Sequence, residues 1–160
     1  MQISVFAVGR MKKGPEQELA NRYFERFSKL APSLGLNFLN VHEITESRLQ
    51  NANQRMEEEG AKLIESLPDN SRLIVLDERG KSVSSVIFSE SFQNWRDAGT
   101  KHITVALGGP DGHCKKVRER ADLLLSFGAM TWPHQIARIL LSEQLYRMAT
   151  ILSGHPYHRV

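Results

Sequence analysis

The sequence has little cysteine and no long apolar run. Cys114 is the only cysteine in 160 residues, so an internal disulfide is impossible, and neither a CxxC pair nor a zinc-finger spacing occurs. A single thiol fits a reducing cytosol. The apolar stretch at residues 3–8 is too short for the core of a signal peptide, and no stretch approaches transmembrane length. We therefore expect a cytoplasmic protein that does not enter a membrane.

The chain also lacks a Pro-, Ser- or Gly-rich or charged break long enough to act as a linker. We therefore expect one domain spanning residues 1–160, which is long enough to fold around a single core without disulfides. The formal net charge of +3 permits a polyanionic partner such as RNA. Many proteins that bind no polyanion are equally basic, so charge alone does not identify the partner.

Strand-like and helix-like apolar patterns alternate along the sequence. The strand-like runs do not alternate apolar with polar residues, which indicates burial on both faces, and the intervening helices favour parallel pairing through crossovers. The prediction is an α/β fold, a three-layer parallel sheet. Strands are predicted at 1–8, 36–41, 73–76, 102–107 and 123–127, and helices at 15–31, 51–67, 84–97, a short basic segment ending at 120, and 133–153.

Ligands of open parallel sheets bind beyond the carboxyl ends of the strands, and three of these ends carry unusual loops. The loops are LDERGK at 76–81, GGPDG at 108–112 and FGAMTW at 127–132. The paired glycines allow a ligand to approach the backbone closely and permit positive φ, although PDG is equally an ordinary turn. The pattern does not match GxGxxG, which argues against a dinucleotide site.

The third of these loops mixes small residues with large apolar ones directly before a helix that starts with proline. This composition is typical of an apolar pocket that adds a few backbone hydrogen bonds. The alternative is a buried connection in which Met130 and Trp132 simply fill the core.

The predicted final helix carries apolar residues on more than one face. One face would meet the sheet and another a partner subunit, so we expect a homodimer; the alternative is a fully buried helix. Glu143 and Arg147 are spaced for an ordinary intrahelical ion pair. The tail at 154–159 concentrates aromatic, titratable and cationic groups, which favours contact with RNA. His155 and His158 lack an evident third ligand, so no metal site is predicted.

Several blocks in order along the chain resemble one branch of the SPOUT class, the large-subunit ribosomal RNA pseudouridine N3-methyltransferases. The blocks are AVGR at 7–10, LDERGK at 76–81, LGGPDG at 107–112, LSFGAMTWPHQIAR at 125–138, EQLYR at 143–147 and HPYHR at 155–159. The resemblance implies a C-terminal trefoil knot, a homodimer and S-adenosyl-L-methionine as cofactor. It further implies methyl transfer to N3 of a pseudouridine in the helix 69 loop of 23S rRNA, on the assembled ribosome and not on DNA.

The resemblance also implies cofactor contacts, and the chemistry of methyl transfer to a ring nitrogen that carries a proton suggests catalytic candidates. Arg147 and His158 are the candidates for stabilising charge and handling the N3 proton, Glu143 would orient Arg147, and Tyr157 would stack on the base. The identity of the general base, and the subunit whose tail serves each site, stay open. The competing hypotheses are a noncatalytic ribosome-associated RNA-binding module and, more remotely, a metal-dependent hydrolase. The expected cofactor contacts are Leu76, Gly108, Phe127, Gly128, Ala129, Met130, Thr131 and Trp132.

Overall fold

The computed structural model describes residues 1–158, in which five strands and five α-helices alternate along the chain. A short 3₁₀ helix at Ala31–Leu34 follows the first α-helix. Arg159, part of the predicted RNA-contacting tail, lies outside the described residues. The strands are β1 (Gln2–Val8), β2 (Asn37–Ile44), β3 (Arg72–Ser82), β4 (His102–Leu107) and β5 (Leu123–Ser126), and the helices are α1 (Pro15–Leu30), α2 (Ala52–Ser66), α3 (Ser85–Asp97), α4 (Lys115–Arg120) and α5 (His134–Leu152).

The strands form one parallel sheet in the order β2-β1-β4-β3-β5. Successive strand residues point to opposite faces, so each face contributes to its own core. One core joins the sheet to α1, α3 and α5, and the other joins it to α2 and α4. β4 is central and buried throughout. The predicted three-layer parallel α/β fold is therefore confirmed.

Local sequence signals account for several helix starts. Pro15 occupies the first turn of α1, where a missing N–H costs no hydrogen bond. The Asn51 side chain caps α2 by accepting hydrogen bonds from the backbone N–H of Asn53 at 2.8 Å and of Gln54 at 3.3 Å. Ser84 caps α3 in the same way, accepting from Ile87 at 3.2 Å.

The course of β3 differs from the prediction, which ended this strand at residue 76. Leu76 and Lys81 both pair with Leu125, so residues 77–80 bulge out of the sheet before the strand resumes and continues to Ser82. A Cβ on Gly80 would lie 2.5 Å from the Leu125 carbonyl carbon, so only glycine fits the return of the bulge. The predicted loop at 76–81 is thus a bulge held by β5 on both sides.

The other strand and helix boundaries differ from the prediction by one to three residues. For example, β2 continues to Ile44 and β5 ends at Ser126. Within residues 1–158, no helix combines the length and apolarity that spanning a membrane requires. The trefoil knot stays a prediction.

Candidate functional site

A cleft of about 310 Å³ opens at the carboxyl edge of the sheet, where the three predicted loops meet. We call it the donor cleft. Its walls come from the bulge of β3, from the glycine-rich loop after β4 and from the loop between β5 and α5. Ala129 is the one expected cofactor contact that does not line it. The seven that do are Leu76, Gly108, Phe127, Gly128, Met130, Thr131 and Trp132.

The paired glycines of the loop after β4 are required by close packing within the protein. A Cβ on Gly108 would lie 2.9 Å from the Gly112 carbonyl oxygen, and one on Gly109 would lie 3.0 Å from Cγ1 of Val8. The left-handed backbone occurs at Gly112, with φ of 82°, whereas neither Gly108 nor Gly109 adopts the positive φ that glycine permits. A side chain at position 108 would therefore clash with the loop's own backbone at Gly112 and displace the loop, whether or not a ligand is bound.

An ion pair ties this loop to α2. The Arg55 guanidinium donates two hydrogen bonds to the Asp111 carboxylate, at 2.7 and 3.0 Å, and two more to the carbonyls of Leu49 and Gln50 at 2.8 and 2.9 Å. Planar, two-point contacts of this kind fix orientation as well as distance. The turn predicted at PDG is thus held in one position at the mouth of the cleft.

The loop between β5 and α5 presents its large side chains to solvent at the rim of the cleft. Met130 is 74% exposed and Trp132 is 44% exposed, so the alternative of a buried connection is wrong. The backbone turns at Gly128, where φ is 110°, and the Ser126 hydroxyl donates to the Gly128 carbonyl at 2.9 Å. Exposed large apolar groups beside a cleft are typical of a ligand or partner surface.

Sequence reasoning missed His113, which also lines the donor cleft. The ring is buried, and its Nε2 has no hydrogen-bond partner. Burial lowers the pKa of His113 to about 4, an effect that the nearby Asp77 carboxylate opposes only in part. A neutral imidazole whose Nε2 lacks a hydrogen-bond partner therefore stands in the wall of the cleft.

His134 and Arg138, on the first turns of α5, were also missed. His134 lines the donor cleft, and the buried Arg138 behind it donates to His134 Nε2 at 3.1 Å. Arg138 also bonds to the Glu43 carboxylate and donates to the Gly9 carbonyl at 2.8 Å. A clue was present in the sequence, because positions four apart share one helix face. The burial of an arginine is a tertiary property that composition does not reveal.

The candidate catalytic residues form a second cluster, the tail cluster, on the later turns of α5. Glu143 accepts hydrogen bonds from Arg147 Nη2 at 2.5 Å and Nε at 3.0 Å, and from the Tyr157 hydroxyl at 3.0 Å. The Arg147 guanidinium carbon lies 5.0 Å from the centre of the Tyr157 ring, within cation–π range. The intrahelical Glu143–Arg147 ion pair is thus confirmed, and Glu143 orients two of the candidates at once.

Charge and burial alter the titration of this cluster. The hydrogen bond to Glu143 raises the pKa of Arg147 above its ordinary value. Burial, followed by the Tyr23 and Glu143 side chains, raises the pKa of Tyr157. Tyr23, on α1, belongs to the cluster and was not singled out from sequence. Nδ1 of His158 is buried without a partner, and His155 Nδ1 accepts from the Tyr157 backbone at 3.1 Å.

The donor cleft and the tail cluster do not meet within one chain. No member of the tail cluster lines the cleft in the described part of the chain. His134 and Arg147 are 13 positions apart on α5, which corresponds to about 20 Å along the helix axis. The structure therefore gathers the expected cofactor residues in one place and the expected catalytic residues in another.

A second cleft of about 280 Å³ adjoins the donor cleft and shares four lining residues with it, Leu125, Ser126, Phe127 and Trp132. Its other apolar walls are Val83, Phe88 and Leu140, and Gln144 lines its polar side. Gln144 Nε2 donates to the Glu143 carboxylate at 2.7 Å, so the second cleft reaches from the rim of the donor cleft towards the tail cluster.

In residues 1–158, no three His, Cys, Asp or Glu side chains are grouped as metal ligands.

A family model described as "Predicted SPOUT methyltransferase" matches residues 1–158. The chain therefore belongs to the SPOUT methyltransferase family. Among curated proteins, it is 65% identical to the ribosomal RNA large subunit methyltransferase H of Bartonella bacilliformis, 58% to that of Brucella anthropi and 57% to that of Mesorhizobium japonicum. Each match covers 99% of this chain and 99% of the relative. The resemblance drawn from the sequence blocks is thereby confirmed at the level of the family.

Proposed function

We propose that the chain transfers a methyl group from S-adenosyl-L-methionine to N3 of a pseudouridine in the helix 69 loop of 23S rRNA, on the assembled ribosome. The observation that carries the proposal is the donor cleft, in which three loops from separate strand ends converge. The names of the relatives, which act on ribosomal RNA of the large subunit, support the acceptor class. The base and the atom methylated rest on the sequence resemblance. Such a substrate would place the protein in the cytoplasm.

The donor cleft fits the proposed cofactor in size and chemistry. Its volume of about 310 Å³ lies at the lower end of the range of small-molecule sites. His113 Nε2 is an unsatisfied, buried nitrogen in its wall, as a site that binds a polar ligand would require. Three carboxylates, Asp77, Glu78 and Asp111, and one cation, Arg79, line the cleft, and this excess of negative charge would favour a cationic ligand. When bound, S-adenosyl-L-methionine supplies an electrophilic methyl group on a sulfonium.

The donor-binding residues in this proposal are the eight expected contacts. Leu76, Gly108 and the loop at 127–132 would hold the cofactor mainly through backbone groups and apolar surface. Ala129 does not line the cleft, so its contact would be made by the backbone or after the loop adjusts. The residues would orient the methyl group and exclude water, which are the protein's main contributions to this type of transfer.

The tail cluster supplies the groups for the acceptor base. Loss of the proton from a uracil-type N3 leaves negative charge, which the guanidinium of Arg147 would stabilise. His158, whose Nδ1 is buried without a partner, is available to handle that proton. Glu143 holds Arg147 and Tyr157 in position, and the Tyr157 ring provides a stacking surface.

The separation of the two regions supports a homodimer with composite sites. Because about 20 Å of helix separates His134 from Arg147, a tail cluster must reach the donor cleft of another chain, or its own chain must rearrange. The exposed Trp132 and the apolar second cleft beside it offer a surface for a second copy. We propose that each donor cleft is completed by the partner's tail.

Mass spectrometry of large-subunit RNA from cells that lack the gene tests the function. The expected result is loss of one methyl group from the helix 69 pseudouridine, with recovery by the wild-type gene and not by Arg147→Ala. An unchanged RNA would contradict the proposal. Calorimetry separates it from a noncatalytic RNA-binding module, because such a module would bind ribosomes without binding S-adenosyl-L-methionine.

A further inference from the structure

The loop after β4 separates two clefts at the carboxyl edge of the sheet. Its tip, formed by Pro110 and Asp111, lines the donor cleft on one side and a third cleft of about 350 Å³ on the other. Both residues are exposed to solvent. Because open space lies on both sides of the tip, packing alone cannot fix its position. The position of the tip therefore depends on the hydrogen bonds that it makes.

Arg55, on the first turn of α2, supplies those hydrogen bonds. Its Nε donates to Asp111 Oδ2 at 2.7 Å and its Nη2 donates to Oδ1 at 3.0 Å, so one planar group occupies both oxygens of the carboxylate. Its Nη1 donates to the carbonyls of Leu49 and Gln50 at 2.8 and 2.9 Å. The guanidinium is thus itself held against the segment that precedes α2, and it sets both the distance and the orientation of Asp111.

A shift of Asp111 would reach the expected cofactor contact Gly108 through the backbone of the loop. The Gly112 N–H donates to the Gly109 carbonyl at 3.0 Å, which closes the turn around Asp111. Gly108 is so close to this turn that a Cβ on it would lie 2.9 Å from the Gly112 carbonyl oxygen. The base of the loop would therefore move with its tip, and Gly108 lines the donor cleft.

We propose that Arg55 is a positioning residue for the donor cleft. By fixing Asp111, it holds Gly108 and the rest of the loop where cofactor binding requires them, and Asp111 itself does not bind the cofactor. This inference rests on the proposed function for its ligand, S-adenosyl-L-methionine. Neither Arg55 nor Asp111 belongs to the expected cofactor contacts, and Arg55 does not line the donor cleft.

The alternative is that Asp111 acts on the cofactor through its negative charge. The two roles predict opposite effects of Arg55→Met, which removes a cation and leaves the carboxylate without its partner. S-adenosyl-L-methionine carries a sulfonium and an ammonium group against one carboxylate, so charge alone would raise its affinity for this variant. Loss of the loop position would lower the affinity, because the cleft would no longer be preorganised. The sign of the change therefore separates the two roles.

Calorimetry with S-adenosyl-L-methionine measures that sign. We expect Arg55→Met to bind at least about fivefold more weakly than the wild type, or roughly 1 kcal/mol. Arg55→Lys should still bind at least about threefold more weakly, because an ammonium keeps the charge but cannot make the planar two-point contact. An unchanged or raised affinity in Arg55→Met, or wild-type affinity in Arg55→Lys, would overturn the proposal.

Replacing Asp111 in two backgrounds tests whether it acts only through Arg55. Asp111→Asn should weaken cofactor binding when Arg55 is present and should have no further effect in the Arg55→Met background. A further loss of similar size in that background would show that Asp111 binds the cofactor directly, contrary to the proposal.

Arg72→Met is the matched control. Arg72 Nη1 donates to the Asp122 carboxylate at 2.6 Å and joins the start of β3 to the residue before β5, at the edge of the sheet opposite the donor cleft. Its loss should lower the free energy of unfolding in urea without changing the cofactor affinity. If Arg72→Met weakens binding as much as Arg55→Met does, general destabilisation explains the effect and the positioning role is wrong.

Amide hydrogen exchange, followed by NMR in the ligand-free protein, tests the loop directly. The Gly112 N–H should exchange at least about fivefold faster in Arg55→Met than in the wild type, and at the wild-type rate in Arg72→Met. Equal rates in Arg55→Met and the wild type would overturn the proposal. Should Arg55→Met not fold, Arg55→Lys provides the same comparison. If the wild type binds no S-adenosyl-L-methionine, the proposed function fails, whereas the exchange rates still decide whether Arg55 holds the loop.

Discussion

Two arginines on α5 occupy contrasting environments. Arg138 is 2% exposed and pairs with Glu43 on a strand 95 positions earlier in the chain. Arg147 is 28% exposed and pairs with Glu143 on its own helix. The first joins distant elements around the donor cleft, whereas the second depends on one local carboxylate and keeps part of its surface accessible. Arg138 therefore holds distant parts of the fold together, whereas the guanidinium of Arg147 stays partly accessible to a ligand.

The largest effect is expected on catalysis at the exposed arginine. Arg147→Ala should lower kcat by about 100- to 1000-fold, because it removes the charge that we propose stabilises the acceptor anion. The affinity for S-adenosyl-L-methionine should stay unchanged, since Arg147 does not line the donor cleft. Deleting residues 155–160 should have the same effect. Steady-state kinetics and calorimetry check both variants, and a truncated protein with full activity would show that the tail is dispensable.

Whether the two ends of α5 act within one chain or across a dimer can be decided by complementation. Gly108→Val disrupts the donor loop and Arg147→Ala the acceptor groups, so neither homodimer should transfer methyl groups. A heterodimer of the two, isolated with two affinity tags, should recover about half of wild-type activity if each cleft uses the partner's tail. Such a heterodimer retains one intact composite site. Inactivity of a properly assembled heterodimer would place the tail and cleft of each site on the same chain.

The buried arginine should dominate stability. Arg138→Met should lower the free energy of unfolding by about 2–3 kcal/mol, because it leaves Glu43 and the Gly9 carbonyl without their partner. Arg147→Met should cost less than about 1 kcal/mol, because its ion pair is local and partly solvated. Urea denaturation checks the two values. Lys29→Met, which breaks an exposed pair of the same spacing on α1, is the control. If Arg138→Met and Arg147→Met lower the free energy of unfolding equally, the two arginines do not differ in their contribution to stability and the account is wrong.

The smallest effect is expected at the hydroxyl of Tyr157. Tyr157→Phe keeps the ring that contacts Arg147 and removes the hydroxyl that donates to Glu143. The expected result is a three- to tenfold fall in kcat, equivalent to about 1 kcal/mol. Tyr157→Ala, which also removes the ring, should lose more. If Phe and Ala behave alike in kinetic assays, the stacking role of the ring is wrong.

The sequence predicted the part of the fold that depends on local pattern. β4 was predicted to its exact bounds because the apolar strand pattern of residues 102–107 stops directly before the turn-forming Gly108. The three-layer sheet followed from the alternation of apolar runs and helices. The bulge of β3 was not predicted, since its return to pair twice with Leu125 depends on a strand nearly 50 residues later.

The residues of the candidate site also fall into two groups, those that the sequence predicted and those that it missed. Seven expected cofactor contacts meet in the donor cleft because they follow strand ends, which topology brings to one edge. His113, His134 and Arg138 were missed, because their significance lies in burial and in partners far along the chain. The Glu143–Arg147 pair was readable from spacing alone, whereas the contact of both with Tyr157 depends on how the tail folds back.

Methyl transfer to purified ribosomes tests the central claim most directly. The protein is incubated with radiolabelled S-adenosyl-L-methionine and ribosomes that carry either pseudouridine or unmodified uridine in the helix 69 loop. The proposal predicts label in 23S rRNA at N3 of the pseudouridine, with little or none in the uridine ribosomes. Absence of label, or label at another site of the ribosome, would contradict it.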